Sequence, residues 1–198
     1  MTLDRFYPIF DSVDWLERTL PLGVKLVQLR IKGRPVAELR EAIAQAQALC
    51  RRNGAVLVVN DHWRQAIDAG CDWVHLGQED LDEADLPAIR RAGLRLGVST
   101  HDHAELGRAL SLAPDYVALG PVYPTILKKM KWHQQGLDRV RAWKDLIGDI
   151  PLVAIGGMSV ERAPGAFAAG ADIVSAVTDI TLNDAPDARV RAWLKATR

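Results

Sequence analysis

Gly54-Ala55-Val56-Leu57-Val58-Val59-Asn60-Asp61 is an apolar run with a glycine before it and a polar pair after it. Its middle is apolar at every position and rich in β-branched valine, which suits a strand covered on both faces, the condition of a parallel sheet. The glycine stands where a helix must end and the chain turn back. The polar pair stands where a buried strand would surface.

The same grammar recurs in both directions. Strand-like runs occupy residues 7–10, 24–30, 55–60, 73–76, 95–98, 116–119, 152–155 and 173–176, eight in all. Amphipathic segments lie between them at 36–52, 86–92, 104–112, 137–147, 160–169 and 188–195; the first mixes apolar Ala37, Ile43, Ala44 and Leu49 with Glu38, Arg40 and Glu41. Strand starts fall about 20 to 30 residues apart, room for one strand, one helix and two tight loops. Eight such units predict an α/β fold, a closed (β/α)8 TIM barrel forming a single domain over residues 1–198, at the small end of that fold's range. An open doubly wound sheet competes, but about five or six strands are more usual there. Against it, Gly23, Gly54, Gly70, Gly93 and Gly170 each precede a strand, and no glycine-rich dinucleotide fingerprint follows the first one.

Lysine and arginine together number 25, as do aspartate and glutamate. With no bulk charge the chain offers nothing to nucleic acid or to an anionic membrane, so any anion site must be built locally and its ligand must be a small molecule. No run is long and apolar enough to span a bilayer, and residues 1–10 lack the apolar core of a secretion signal; a cytoplasmic location is expected. The sequence leaves a homo-oligomer open. Cys50 and Cys71 lack metal-type spacing and fall in helical or helix-to-strand patterns, as buried free thiols of a reducing compartment do.

In a barrel, function gathers where strands end and βα loops begin. After the second strand, alternation sends Gln28, Arg30 and Lys32 to one side, a glutamine and two cations aimed together. A structural ion pair is the plain reading and an anion site the favoured one, since lone charge inside a barrel is costly. Asn60-Asp61 ends the third strand, and His75-Leu76-Gly77-Gln78-Glu79-Asp80 carries the fourth past its end. Asp61 and Asp80 thus leave adjacent strands at one rim, the arrangement octahedral Mg2+ needs when diphosphate oxygens and water complete its shell. Each acid has a second reading as a helix cap, Asp61 for the helix from His62 and Asp80 for one near Leu81.

The fifth strand ends in Gly97-Val98-Ser99-Thr100-His101, and the sixth in Leu119-Gly120-Pro121-Val122-Tyr123-Pro124-Thr125 followed by Lys128 and Lys129. Residues 120–136 form the longest connection and carry no apolar period, which suits a lid bringing cations over a substrate, or else a solvated basic loop. The seventh strand closes on Gly156-Gly157 and the eighth on Ser175-Ala176-Val177. Loops in those places commonly bind phosphate through backbone N–H groups that glycine lets approach closely. One rim therefore holds two anion sites, one of metal and cations, the other of amides. His75, His101 and His103 lack zinc spacing and read as structural or substrate-orienting. Trp15, Trp143 and Trp193 fall on helix faces and read as packing.

Gln28-Leu29-Arg30-Ile31-Lys32, Asn60-Asp61, His75 to Asp80, Gly97 to His101, Ala118 to Thr125, Ala154-Ile155-Gly156-Gly157 and Val174-Ser175-Ala176 form one collinear series, and in it the chain resembles the thiamine phosphate synthase family. That resemblance implies a transferase joining a pyrimidine diphosphate to a thiazole phosphate with Mg2+. Arg30, Lys32, Asn60 and Lys128 would hold the diphosphate, Asp61 and Asp80 the metal, and Gln28 and Ser99 would lie near the pyrimidine or diphosphate. Thr125 would face the thiazole, while Gly157 and the backbone around Val174 and Ser175 would grip its phosphate. Arg30, Lys32, Lys128 and Ser99 make up the implied catalytic set. One departure stands out: where the family's lid usually has a second threonine before the lysine, Leu127 precedes Lys128, and the following Met130-Lys131-Trp132-His133 is bulky. A thiazole tautomerase-like isomerase and a non-enzymatic phosphate-binding barrel are the other classes. Retention of Arg30, Lys32, Asp61 and Asp80 argues against the isomerase, which has no diphosphate to bind.

Overall fold

The structure, a computed structural model, describes residues 3–125 and 133–198. Eight strands, β1 (Phe6–Phe10), β2 (Leu26–Leu29), β3 (Val56–Asn60), β4 (Trp73–Leu76), β5 (Arg95–Thr100), β6 (Tyr116–Leu119), β7 (Leu152–Ile155) and β8 (Ile173–Ala176), pair in chain order. All pairings are parallel, and β8 closes on β1 through Phe6↔Val174, Tyr7↔Ser175 and Pro8↔Ala176. The expected closed barrel is therefore the fold, and the open sheet is excluded.

Around it lie α1 (Val13–Thr19), α2 (Val36–Asn53), α3 (Trp63–Asp68), α4 (Asp80–Glu83), α5 (Leu86–Arg91), α6 (His103–Ser111), α7 (Gly136–Ile147), α8 (Ala163–Ala168), α9 (Thr178–Thr181) and α10 (Pro186–Thr197). In α2 the buried Leu39, Ile43, Ala46 and Cys50 recur at helical spacing and face the sheet. It ends at Gly54, whose φ of 59° is the left-handed turn the sequence demands there. Short α1 and α9 were not among the expected helices, because segments of four to seven residues do not show a helical period. Trp193 stacks on Phe6 at 5.2 Å between ring centres, Trp15 stacks on Phe10 at 5.3 Å, and Trp143 is fully buried, so these tryptophans are packing. Cys50 and Cys71 are free and buried, and burial pushes both thiols up to about 12. Among the described residues no helix is long and apolar enough to cross a membrane.

Two apolar layers result. The larger lies between strands and helices; the smaller fills the barrel with Tyr7, Leu26, Val58, Trp73, Tyr116, Ala118, Val153 and Ile173. One step further along the strands the barrel lining turns polar, with Gln28, Asn60, His75 and Ser175 all buried. Polar groups so buried must be satisfied or serve a ligand. That change of character marks the end at which the candidate site lies.

Candidate functional site

Loops two to four build one side of the mouth. Alternation persists past β2, so Gln28 points inward while Arg30 and Lys32 emerge exposed beyond the strand. Lys32 Nζ stands 3.5 Å from Asp61 Oδ2. Asp61 takes φ 64°, a left-handed backbone that aspartate tolerates better than most residues. It does not cap α3: His62 occupies the cap position, and no side-chain cap bond forms there. His62 instead ties loops two and three together through Nε2 and the Ile31 carbonyl, 2.9 Å apart. Asp80 is the first residue of α4, not its cap, and its Oδ2 accepts the Gly77 N–H at 3.0 Å.

The two acids face each other. Burial raises the Asp61 carboxyl above its ordinary value, and the charge of Asp80 and a shared hydrogen bond raise it further, while Lys32 and Arg30 pull it down. Beside the pair opens a cleft of about 450 Å3 lined by Lys32, Gly33, Asp61, His62, Trp63 and Asp80, among others. Two partly buried carboxyls pressed together, one of them raised by the other's charge, make a place short of positive charge.

The opposite side of the mouth is built from backbone. Val122 N–H donates to the Ile155 carbonyl at 2.8 Å and Tyr123 N–H to the Gly156 carbonyl at 3.0 Å, which lays loop six on loop seven. Gly157 has φ 61°, and a Cβ there would sit 2.4 Å from the Pro124 carbonyl oxygen, so glycine alone fits. Among the described residues no acceptor takes the Gly157 N–H. Across from it, the Ser175 hydroxyl is buried with no partner among the described residues. Behind these loops Arg189 forks to both Glu161 oxygens, at 2.9 and 2.8 Å, and to both Asp179 oxygens, each at 2.8 Å. These bonds hold the exposed Glu161 carboxyl down at about 2 and tie loop seven to α9. Arg162 donates to the Gly157 carbonyl and lies over the Tyr123 ring, 4.6 Å from its centre.

The mouth thus sets carboxyls beside cations on one side against a glycine amide and a buried hydroxyl on the other. The thiamine monophosphate synthase family matches this chain over residues 6–180. The chain belongs to that family. It is 62% identical to the thiamine-phosphate synthase of Rhizobium etli over 197 residues, covering 100% of this chain and 97% of that one. It is 46% identical to the thiamine-phosphate synthase of Neisseria meningitidis serogroup A, covering 96% and 92%. Among solved structures, the thiamine phosphate pyrophosphorylase of Pyrococcus furiosus superposes with a TM-score of 0.87 at 26% identity, covering 98% of this chain and 95% of that one.

For a thiamine monophosphate synthase family member, the expected residues fall into place unevenly. Gln28, Arg30, Lys32, Asn60, Asp61, Asp80 and Ser99 sit on neighbouring strand ends from β2 to β5, and Thr125, Gly157 and Ser175 lie across the mouth. Val174 does not join them: its side chain is buried in the outer core and its N–H donates to the Arg5 carbonyl at 2.9 Å. Lys128 and Leu127, with the middle of the lid stretch, lie outside the described residues.

The sequence reading passed over Tyr7, Tyr116 and Gln78. Gln78 donates to the Ser99 carbonyl at 2.8 Å. The two tyrosines touch each other inside the barrel, 2.9 Å between hydroxyls. Their signal was a hydroxyl-bearing aromatic inside an otherwise apolar strand, which strand-end reasoning does not weigh. His75, read as structural or substrate-orienting, bonds Tyr116 through Nδ1 and Ser99 through Nε2, both at 2.8 Å.

Proposed function

We propose that the protein transfers the methylpyrimidine group of 4-amino-2-methyl-5-hydroxymethylpyrimidine diphosphate to a thiazole phosphate, giving thiamine phosphate and pyrophosphate. The observation that carries this reading is the Asp61–Asp80 carboxyl pair beneath Lys32 and Arg30, facing a second anion site made of backbone.

Asp61 and Asp80 are the residues that would hold Mg2+. The donor set fits it: oxygen only, two carboxylates, and a pair whose mutual repulsion a divalent cation relieves. Among the described residues no cluster of three or more His, Cys, Asp or Glu is available. The remaining positions would go to diphosphate and water, which is how Mg2+ is commonly bound. When bound, the metal supplies charge neutralisation on the leaving diphosphate.

The chain's own residues do the rest. Arg30, Lys32 and Asn60, with Lys128 from the lid, take the diphosphate oxygens, and Ser99 stands beside them. Gln28 orients the pyrimidine, Thr125 faces the thiazole, and Gly157 with the Ser175 region holds the thiazole phosphate. The bond from methylene to diphosphate oxygen breaks with its electron pair leaving on pyrophosphate, and the thiazole nitrogen supplies the pair for the new C–N bond. Between the two events the electron-rich aminopyrimidine bears the positive charge. No protein nucleophile enters, so rate comes from alignment and electrostatics. The site needs only small-molecule partners.

Mixing the protein with both phosphorylated precursors and Mg2+ tests this. Thiamine phosphate, read as fluorescent thiochrome after oxidation, should appear one-for-one with pyrophosphate and vanish when the metal is chelated. Conversion of the thiazole phosphate alone, without pyrophosphate, would replace the transferase with an isomerase.

A further inference from the structure

A row of hydrogen bonds crosses the barrel interior. Gln28 Nε2 donates to the Tyr7 hydroxyl at 2.8 Å, Tyr7 and Tyr116 meet at 2.9 Å, Tyr116 meets His75 Nδ1 at 2.8 Å, and His75 Nε2 meets Ser99 Oγ at 2.8 Å. Gln28, Tyr7, Tyr116 and His75 are all buried, so each proton must find an acceptor.

With the Gln28 amide donating to Tyr7, satisfying every member sets one direction. Tyr7 receives the Gln28 N–H, and the acceptor for its own proton is the Tyr116 oxygen. Tyr116 must then give its proton to His75 Nδ1. His75 carries its hydrogen on Nε2 and donates to Ser99 Oγ, which leaves the Ser99 proton unspent. Were the Gln28 amide turned over, each proton would run the other way and Ser99 would be consumed by His75.

The fold makes room for this row. A Cβ at Gly97 would lie 2.0 Å from Tyr116 Cζ, so glycine there is the space the tyrosine ring occupies. His75 stacks on Tyr116 with ring centres 5.6 Å apart and planes 12° from parallel, which fixes the imidazole's tilt. Ser99 is half-buried at the polar end of β5, next to the strand that leads to Asp80.

We infer that Tyr7, Tyr116 and His75 are positioning residues that hold the Ser99 hydroxyl as a hydrogen-bond donor toward the departing diphosphate. This rests on the transferase reading above. Hydrogen bonds to developing charge accelerate a reaction when the donor is already oriented, and a hydroxyl left to rotate loses that advantage.

A double-mutant cycle separates positioning from mere packing. Tyr116→Phe keeps the ring and removes the link; kcat for thiamine phosphate formation should fall roughly tenfold, the scale of one hydrogen bond to a charged group. Ser99→Ala should cost at least as much. Because Tyr116 acts only through Ser99, the double variant should be no slower than Ser99→Ala, and the KM for the thiazole phosphate should not move. Losses that multiply, or wild-type kcat in Tyr116→Phe, would overturn the inference. If Tyr116→Phe does not fold by circular dichroism, His75→Phe, which keeps a ring stacked on Tyr116, enters the same cycle. Wild-type protein that makes no thiamine phosphate removes the transferase reading and this inference together; an active wild type with multiplying losses removes the inference alone.

Discussion

The two sides of the mouth are built from different materials. On the β2–β4 side the candidate groups are charged side chains, with Lys32 3.5 Å from Asp61 and Asp80 pressing on the same carboxyl. On the β6–β8 side they are a glycine amide and a buried hydroxyl, and the charges, Arg189 with Glu161 and Asp179, stand behind the loops as bracing. The difference suits the two jobs proposed above. A leaving diphosphate gains charge as its bond breaks and needs groups that respond in the transition state. A phosphate that only anchors its substrate keeps its charge, and fixed amides suffice.

Kinetics can break this contrast. Asp61→Ala and Asp80→Ala should each lower kcat by roughly a hundredfold or more while the barrel stays folded, since each removes half of the proposed metal site. Near-normal turnover at saturating Mg2+ would remove the metal from the mechanism. Gly157→Ala should act on the other parameter. Its Cβ would meet the Pro124 carbonyl oxygen at 2.4 Å on a backbone at φ 61°, so loop seven must shift away from the anion. The KM for the thiazole phosphate should rise about tenfold with the pyrimidine KM little changed, a cost of about 1–2 kcal/mol for the left-handed residue alone. Equal changes in both KM values would mean that the two sides are one site.

How much of this was readable beforehand follows from the period of each signal. Apolar runs such as 55–60 and the glycines before them gave the barrel, because burial on both faces leaves no polar position to confuse the pattern. That Arg30, Lys32, Asp61 and Asp80 come together at one rim was legible because charge that follows an apolar barrel strand emerges at the barrel's mouth. Alternation along the eighth strand turns Ser175 inward and Val174 outward, a distinction that a reading of the backbone around both residues does not make. Tyr7 and Tyr116 were illegible for a different reason. Their bond joins residues 109 apart across the barrel, and a single strand does not tell which hydroxyl its aromatic will meet.

The smallest expected effect concerns stability and carries a sign that a packing account would not produce. With its folded carboxyl raised above the unfolded value, Asp61 contributes stability in acid, below the unfolded value, and loses that contribution as pH rises through the folded one. Above that folded value the Asp61 charge stands unrelieved in the metal-free protein. Asp61→Asn removes the charge while keeping a residue that accepts φ 64°. The lost partner, Lys32, is 61% exposed at its side chain and holds little energy. Metal-free Asp61→Asn should thus melt higher than wild type by roughly 2–4 °C at pH 8, the equivalent of about 1 kcal/mol in a chain this long, with the gain shrinking toward pH 4. Mg2+ with pyrophosphate should raise the wild-type melting temperature and leave the variant's unchanged, reversing the order of the two. A variant that melts lower than wild type at pH 8 without metal would show that the pair is a structural asset, and the case for a cation between Asp61 and Asp80 would lose its physical basis.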